Sequence, residues 1–179
     1  MTELSLNILD AAQNSIAANA ALIEITVSES ESDNLLCVTI RDNGRGMDEK
    51  LLKSVADPFV TTRTTRKVGL GIPFFKMAAE LTGGKFEIKS RPGKGTVIKA
   101  DFVLDHIDRP PLGNMRETLL ALIKCNPDTD FVYNREINEK SFRFDTREVR
   151  AEIPGISLAE PEVLEFISEY LDNEKEILN

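Results

Sequence analysis

The sequence predicts an α+β fold: a two-layer α/β sandwich whose sheet is covered by helices on one side and open on the other, plus a C-terminal hairpin and helix extension. Two observations carry this. The strand candidates alternate cleanly, so each has one apolar face and one polar face, as in a sheet buried on one side only. The order of patterns is helix, strand, strand, short helix, loop, helix, strand, strand, which a single sheet with helices on one face accommodates.

Glu3 to about Ala20 reads as the first helix, with Leu6, Leu9, Ile16 and Ala20 at helical spacing and Asn14 among them. "ALIEITVSE" then alternates, with Ile23, Ile25 and Val27 on one face and Glu24, Thr26 and Ser28 on the other. After the polar turn "SESESDN", Leu36, Val38 and Ile40 mark a second strand ending at Asp42. "VGLGIPFFKMAAELTGG" reads as an amphipathic helix, its stripe formed by Leu70, Phe74, Met77, Ala78 and Leu81, its first turn holding Pro73 and its end closed by Gly83. Strands follow around Phe86 and Ile88, and around Ile98, Ala100, Phe102 and Leu104.

Beyond "DRPPLG" the character changes, and the chain divides into residues 1–107 and an extension, 108–179, docked on them. The extension reads as a short helix over Met115–Lys124 and a hairpin turning near Asn138, with Phe131 and Tyr133 facing Phe142 and Phe144. A terminal helix follows from about Pro161, its stripe formed by Val163, Phe166, Ile167, Tyr170 and Leu171.

A chain of 179 residues buries a core without disulfides, and Cys37 and Cys125 stand in unrelated contexts, as in a reduced cytoplasmic protein. The first residues lack the basic cluster of a signal peptide, and no apolar run reaches membrane-spanning length. One histidine and two separate cysteines exclude a zinc site built from those residues alone. The net charge of −8 argues against general nucleic-acid binding. Its distribution is uneven: Val60 to Lys99 holds nine Lys and Arg against two acids. A basic middle in an acidic chain suits a confined anionic ligand.

Four short stretches then carry chemistry: "DAAQNS" (Asp10–Ser15), "DNGRGM" (Asp42–Met47), "GLG" (Gly69–Gly71) and "PGKGT" (Pro92–Thr96). Each has a plain structural reading, since Asp-Asn-Gly and Pro-Gly-Lys-Gly are ordinary turns and Gly-x-Gly before a helix is an ordinary cap. The second glycine of "DNGRG" exceeds what a two-residue turn needs and points to backbone that something approaches closely.

In this order and spacing, the four resemble the N box and three glycine boxes of the GHKL, or Bergerat-fold, ATPase and kinase superfamily, with "DPFVTT" as the lid. The resemblance runs from about Leu4 to Leu104 and is nearest to histidine kinase-like ATP-binding domains, although "QNS" leans toward the broader ATPases. It implies a mixed, mostly antiparallel sheet and the cofactors ATP and Mg2+. It also implies that Asp42 accepts a hydrogen bond from the adenine amino group, with Gly44 and Gly46 letting the purine lie on bare backbone and Thr96 joining the network. Asn14 would be the Mg2+ ligand. Gly69, Leu70 and Gly71 would head a helix facing phosphate, with Arg63, Arg66 and Lys67 in the lid. Asp10, one turn before Asn14, occupies the position of a glutamate general base in hydrolysing members and of asparagine in many histidine kinases. An aspartate there is one methylene short of that glutamate's reach.

No phosphoaccepting helix pair is expected ahead of Leu4, and His106 is expected to be structural. The preferred reading is a stand-alone ATP-dependent kinase or phosphotransferase component, soluble and cytoplasmic, acting on a protein partner without nucleic acid or membrane. A slow ATPase and a non-catalytic nucleotide sensor remain as alternatives, because fold and ligand do not fix the reaction.

Overall fold

The computed structural model describes residues 3–57 and 70–179. Its elements in chain order are α1 (Leu4–Ala17), β1 (Leu22–Ser30), β2 (Leu35–Asp42), α2 (Glu49–Val55), α3 (Gly71–Leu81), β3 (Phe86–Arg91), β4 (Gly95–Val103), α4 (Met115–Cys125), β5 (Asp130–Ile137), β6 (Lys140–Asp145), α5 (Thr146–Glu152) and α6 (Pro161–Leu178). Six strands form one sheet in the order β3-β4-β2-β1-β5-β6. Every neighbouring pair is antiparallel except β1 with β5, which runs parallel from Leu22 opposite Asp130 to Glu29 opposite Ile137. The sheet is therefore mixed and mostly antiparallel, as expected.

Alternation sets its apolar face. Ile23, Ile25 and Val27 of β1, Leu36, Val38 and Ile40 of β2, and Ile98, Ala100 and Phe102 of β4 are all buried. They form one core with Leu4, Ile8, Ala11 and Ala12 of α1, Phe75 and Ala79 of α3, Leu119, Leu122 and Ile123 of α4, and Ile167 and Leu171 of α6. Phe75 anchors the α3 side, with ring centroids 6.1 Å from both Phe102 and Phe86. Burying such side chains contributes about 1.5–3 kcal/mol each before the entropy of ordering is charged against it.

Three helix stripes depart from expectation. In α3 the buried set is Ile72, Phe75, Ala78 and Ala79, while Leu70, Phe74, Met77 and Leu81 are exposed. In α6 Val163, Ile167 and Leu171 are buried as expected, but Phe166 is exposed, and Tyr170, partly exposed, packs its ring 5.6 and 5.8 Å from those of Phe142 and Phe144. α1 likewise turns Leu6 to solvent, buries Leu4 and Ile8, and ends at Ala17.

The hairpin forms, with Tyr133 opposite Phe144 and Arg135 opposite Phe142, and Asn138 takes the positive φ of the turn. α5 was not foreseen. It starts where Asp145 accepts a hydrogen bond from the Arg147 amide at 3.0 Å. It packs on β5, where Val132, whose side chain alternation turns away from Tyr133, is fully buried. The sheet's second face is thus covered at that end.

The linker has a specific task. α1 has no side-chain cap, and the backbone carbonyls of Pro111 and Leu112 instead accept from the amides of Leu4 and Ser5 at 2.9 and 2.8 Å. Two of the amides that a helix start leaves unpaired are satisfied by residues a hundred positions away. Among the described residues, no helix is long and apolar enough to cross a membrane.

Candidate functional site

The corner after β2 is built from Asp42 outward. Asp42 is 7 % exposed and ends its strand on the helix-covered face. Its Oδ2 accepts from Ser15 Oγ on α1 at 2.6 Å, and its Oδ1 accepts from the Gly44 amide at 2.8 Å. An ionised carboxylate has about four acceptor sites. These two bonds hold it while leaving acceptor capacity for a ligand. Asn43 Oδ1 accepts from the amides of Ala21 and Leu22 at 2.8 and 2.9 Å, which ties the corner to the start of β1.

Thr96 on β4 stands directly across from Asp42, so the two side chains share a face. Ser90 Oγ accepts from the Met47 amide at 2.8 Å, donates to the Gly95 carbonyl at 3.0 Å, and lies 2.9 Å from Thr96 Oγ1. A serine hydroxyl has one proton, so with that proton on Gly95 the Thr96 hydroxyl must be the donor to Ser90. Thr96 then turns only lone pairs to the site. Asp42 and Thr96 together are an acceptor pair suited to a donor such as an exocyclic amine.

The glycines of this corner have a reason of their own. A Cβ on Gly46, whose φ is +69°, would fall 1.9 Å from the Arg91 carbonyl oxygen, and one on Gly95, φ +86°, equally close to that of Asp42. A Cβ on Gly44 would meet the Ala18 carbonyl oxygen at 2.8 Å. The close approach inferred from sequence is, on the Cβ side of each, an approach by the protein's own backbone.

α1 carries the second part. Asp10 and Asn14 are one turn apart on its surface, Asp10 exposed and Asn14 half-buried. Neither side chain has a partner among the described residues. Gly71, the first residue of α3, packs against Asp10 so closely that a Cβ there would fall 2.6 Å from Asp10 Cβ and 2.9 Å from its Oδ2. The Asp10 carboxylate is therefore beside the amide-bearing start of α3. Leu70 precedes that start and is exposed. Gly69, the basic lid residues Arg63, Arg66 and Lys67, and most of "DPFVTT" lie outside the described residues.

The structure thus brings Asp42, Gly44, Gly46 and Thr96 into one corner, and sets Asp10 in the middle of α1 against Gly71 at the start of α3, with Asn14 one turn further along α1. Ser15 links the two parts. The donor set fits a magnesium nucleotide: an amide oxygen at Asn14 for a hard cation, acceptors at Asp42 and Thr96 for a base. Sequence reasoning missed Ser15, Asn43 and Ser90 as its supports. It also missed Asn7, two turns before Asn14, whose Oδ1 is buried without a hydrogen-bond partner among the described residues.

Other groups stand apart. A cavity of about 430 Å3 touches Asp42, but its remaining walls include Glu24, Arg41, Lys89 and Val97 from the far face of the sheet. His106 Nδ1 accepts from the Asp108 amide at 3.1 Å, a local turn contact. Burial pushes the Cys37 thiol up to about 11, which makes it a poor nucleophile.

Comparison with known proteins identifies the family. Residues 1–106 match the model of the family described as histidine kinase-, DNA gyrase B- and HSP90-like ATPase. A putative sensor protein of Shewanella frigidimarina is 31 % identical over 107 residues, covering 59 % of this chain and 16 % of the relative. A putative NtrY-like sensor histidine kinase of Rickettsia bellii is 30 % identical over 108 residues, covering 60 % and 17 %. The chain thus spans about one-sixth of these relatives' length. The solved N-terminal domain of a DNA repair protein superimposes with a TM-score of 0.53 at 14 % identity, over 81 % of this chain and 52 % of that one, a likeness of fold. Its fold and a family match covering more than half its length place the chain among the histidine kinase-, DNA gyrase B- and HSP90-like ATPases.

Proposed function

We propose that this chain binds Mg2+-ATP at the site between α1, α3 and the Asp42 corner, and serves as a kinase or phosphotransferase component acting on a partner protein. The observation that carries the reading is the acceptor pair of Asp42 and Thr96, facing the same way across β2 and β4. ATP with Mg2+, when bound, supplies the transferable phosphoryl group. Asp42 and Thr96 would orient the base by accepting from its amino group, and Ser15 keeps Asp42 in place. Asn14 offers an amide oxygen to the metal. Leu70 and Gly71 would present the start of α3 to phosphate.

A slow ATPase is the second reading, favoured by the unpartnered carboxylate of Asp10 beside the start of α3. A cytoplasmic setting belongs to the same proposal and is supported by two free cysteines. So does the division into a nucleotide unit, residues 1–107, and a docked extension, residues 108–179, supported by the continuation of the sheet through β5 and β6.

The test has two measurements on the purified chain. Calorimetric titration with ATP, with and without Mg2+, should give saturable binding that the metal strengthens; absence of binding would sink the nucleotide assignment. Incubation with γ-labelled ATP should release phosphate slowly and leave no acid-labile label on the chain. Label lost in His106→Ala would make this histidine a phosphoacceptor and overturn the expectation that it is structural.

A further inference from the structure

α5 and α6 enclose a second concavity, far along the sheet from the nucleotide site and larger than the cavity beside Asp42. It has a volume of about 1040 Å3 and lies beside β6, one of the sheet's two edge strands. Its floor and walls are apolar, supplied by Phe144, Val149, Ile153, Ile156, Phe166 and Tyr170. Three of these are open to solvent, Ile156 at 50 %, Phe166 at 56 % and Tyr170 at 38 %. Walls exposed to that degree suit a macromolecular segment better than an enclosed small molecule, which a pocket typically buries by about 70–90 %.

The rim has one sign. Glu148 and Glu152 of α5, with Glu160 and Glu162 at the start of α6, border the groove, and among the described residues no Lys or Arg does. Among the described residues, none of the four is in an ion pair. Helix stability does not account for all of them. Acids at the start of α6 suit the helix dipole, but Glu152 is the last residue of α5, where a negative charge is unfavourable. It also lies one turn from Glu148, a like-charge pair that destabilises the helix. By contrast, Asp145 is neutralised by Arg143 and Arg147 at 2.9 and 2.7 Å.

We propose that this groove receives a basic amphipathic helix from a partner protein, its apolar face on Phe166, Tyr170 and Ile156 and its cations on the four glutamates. Helix-in-groove docking matches both features: an apolar floor gives affinity and a single-sign rim gives orientation. Addition of a strand to β6 is opposed by Tyr170, whose hydroxyl already donates to the Arg143 carbonyl of that strand at 3.0 Å. The proposal does not rest on the nucleotide assignment.

The test uses a fluorescein-labelled peptide of about five helical turns, with leucines at helical spacing flanked by lysines, and a matched peptide with glutamates in place of the lysines. Fluorescence anisotropy with the full chain should show saturable binding of the lysine peptide, weakening as salt is raised, and none of the glutamate peptide. Phe166→Ala, which changes no charge, should weaken binding roughly tenfold or more, on the order of an interface anchor. The double variant Glu152→Lys/Glu162→Lys should do the same, and Glu139→Lys, in the exposed β5–β6 turn, should not. Phe166 is exposed, so circular dichroism and ATP titration should be unchanged in its variant. Equal binding of both peptides, binding of neither, or insensitivity to Phe166→Ala would overturn the proposal. So would sedimentation showing a dimer that Phe166→Ala dissociates, which would assign the groove to a second copy.

Discussion

Ser15 on α1 donates a 2.6 Å hydrogen bond to Asp42 Oδ2 at the end of β2, and both side chains are buried. The bond fixes one carboxylate oxygen, while the Gly44 amide fixes the other. Asp42→Asn can keep an oxygen on the Gly44 amide, and its NH2 then turns to the Ser15 side, where it meets the incoming amino group as a donor in place of an acceptor. The expected loss of ATP affinity is an order of magnitude or more, from polar groups left unpaired at about 1–3 kcal/mol each. Ser15→Ala should cost less, about 1 kcal/mol of stability, with a few-fold loss in affinity. Calorimetry that finds Asp42→Asn equal to the parent would remove the adenine role.

Asp10 gives a prediction about turnover. Its carboxylate is unpartnered and beside Gly71, but it is shorter than the glutamate of hydrolysing relatives implied by the resemblance. Phosphate release should be slow, should rise in Asp10→Glu if reach is what limits it, and should vanish in Asp10→Asn. Gly71→Ala would place a methyl 2.6 Å from Asp10 Cβ, so it should displace α3 from α1 and lower both stability and ATP affinity. Turnover identical in both Asp10 variants would mean that this carboxylate does not activate water.

How much of this was legible in the sequence depends on the range of the interaction. β1 and β2 could be read because Ile23 to Val27 and Leu36 to Ile40 alternate without interruption, and period two admits one face only. α3 was misphased because "GIPFFKMAAEL" is apolar on most sides. Its period leaves the rotation open, and the contact of Gly71 with Asp10 decides it. α5 had a signal that went unused: Asp145 is followed three residues later by Glu148, the spacing of a capping box. The parallel pairing of β5 with β1 joins residues more than a hundred positions apart, which no local pattern encodes. Asp42 and Asn14 stood out by motif, whereas Ser15 and Ser90 are small hydroxyls whose roles come only from what folding places beside them.

Arg135 ties three elements together in a buried setting. Its guanidinium pairs with Glu29 of β1, lies 3.8 Å from Glu174 of α6, and donates to the carbonyls of Val27 and Glu136 at 3.3 and 3.0 Å. Tyr133 donates to Glu174 at 3.2 Å. Removing the cation in Arg135→Met would leave two carboxylates facing each other and should cost about 3–5 kcal/mol, measured by urea unfolding. Burial raises the Glu174 carboxyl above its ordinary 4.5, outweighing its bond from Tyr133 and the attraction of Arg135. An acid raised on folding contributes stability that is fully present below its unfolded value and lost as pH rises through the folded one. Glu174→Gln should remove that loss, so the unfolding midpoint of the parent should fall relative to the variant as pH rises upward from about 4.5. Midpoints that move in parallel would show that Glu174 does not titrate in this window.

Truncation after Leu104 tests whether the extension is part of the nucleotide unit's structure. The cut removes β5, so β1 becomes an edge strand with its ladder of amides and carbonyls unpaired. It also removes Leu119, Leu122 and Ile123 of α4, all buried in the shared core, and so exposes the apolar side of α1. Pro111 and Leu112 go as well, and with them the carbonyls that pair the first amides of α1. α1 carries Asp10, Asn14 and Ser15, so damage at its start should reach the nucleotide site through the helix itself. The truncated chain should aggregate or unfold without a cooperative transition, and any soluble fraction should bind ATP more weakly. The hairpin alone offers no rescue, because an isolated pair of strands is marginal at best. A truncated protein that stays monomeric, unfolds cooperatively and binds ATP as the parent does would make residues 108–179 dispensable to the fold. Their function would then have to be sought in the groove between α5 and α6 alone.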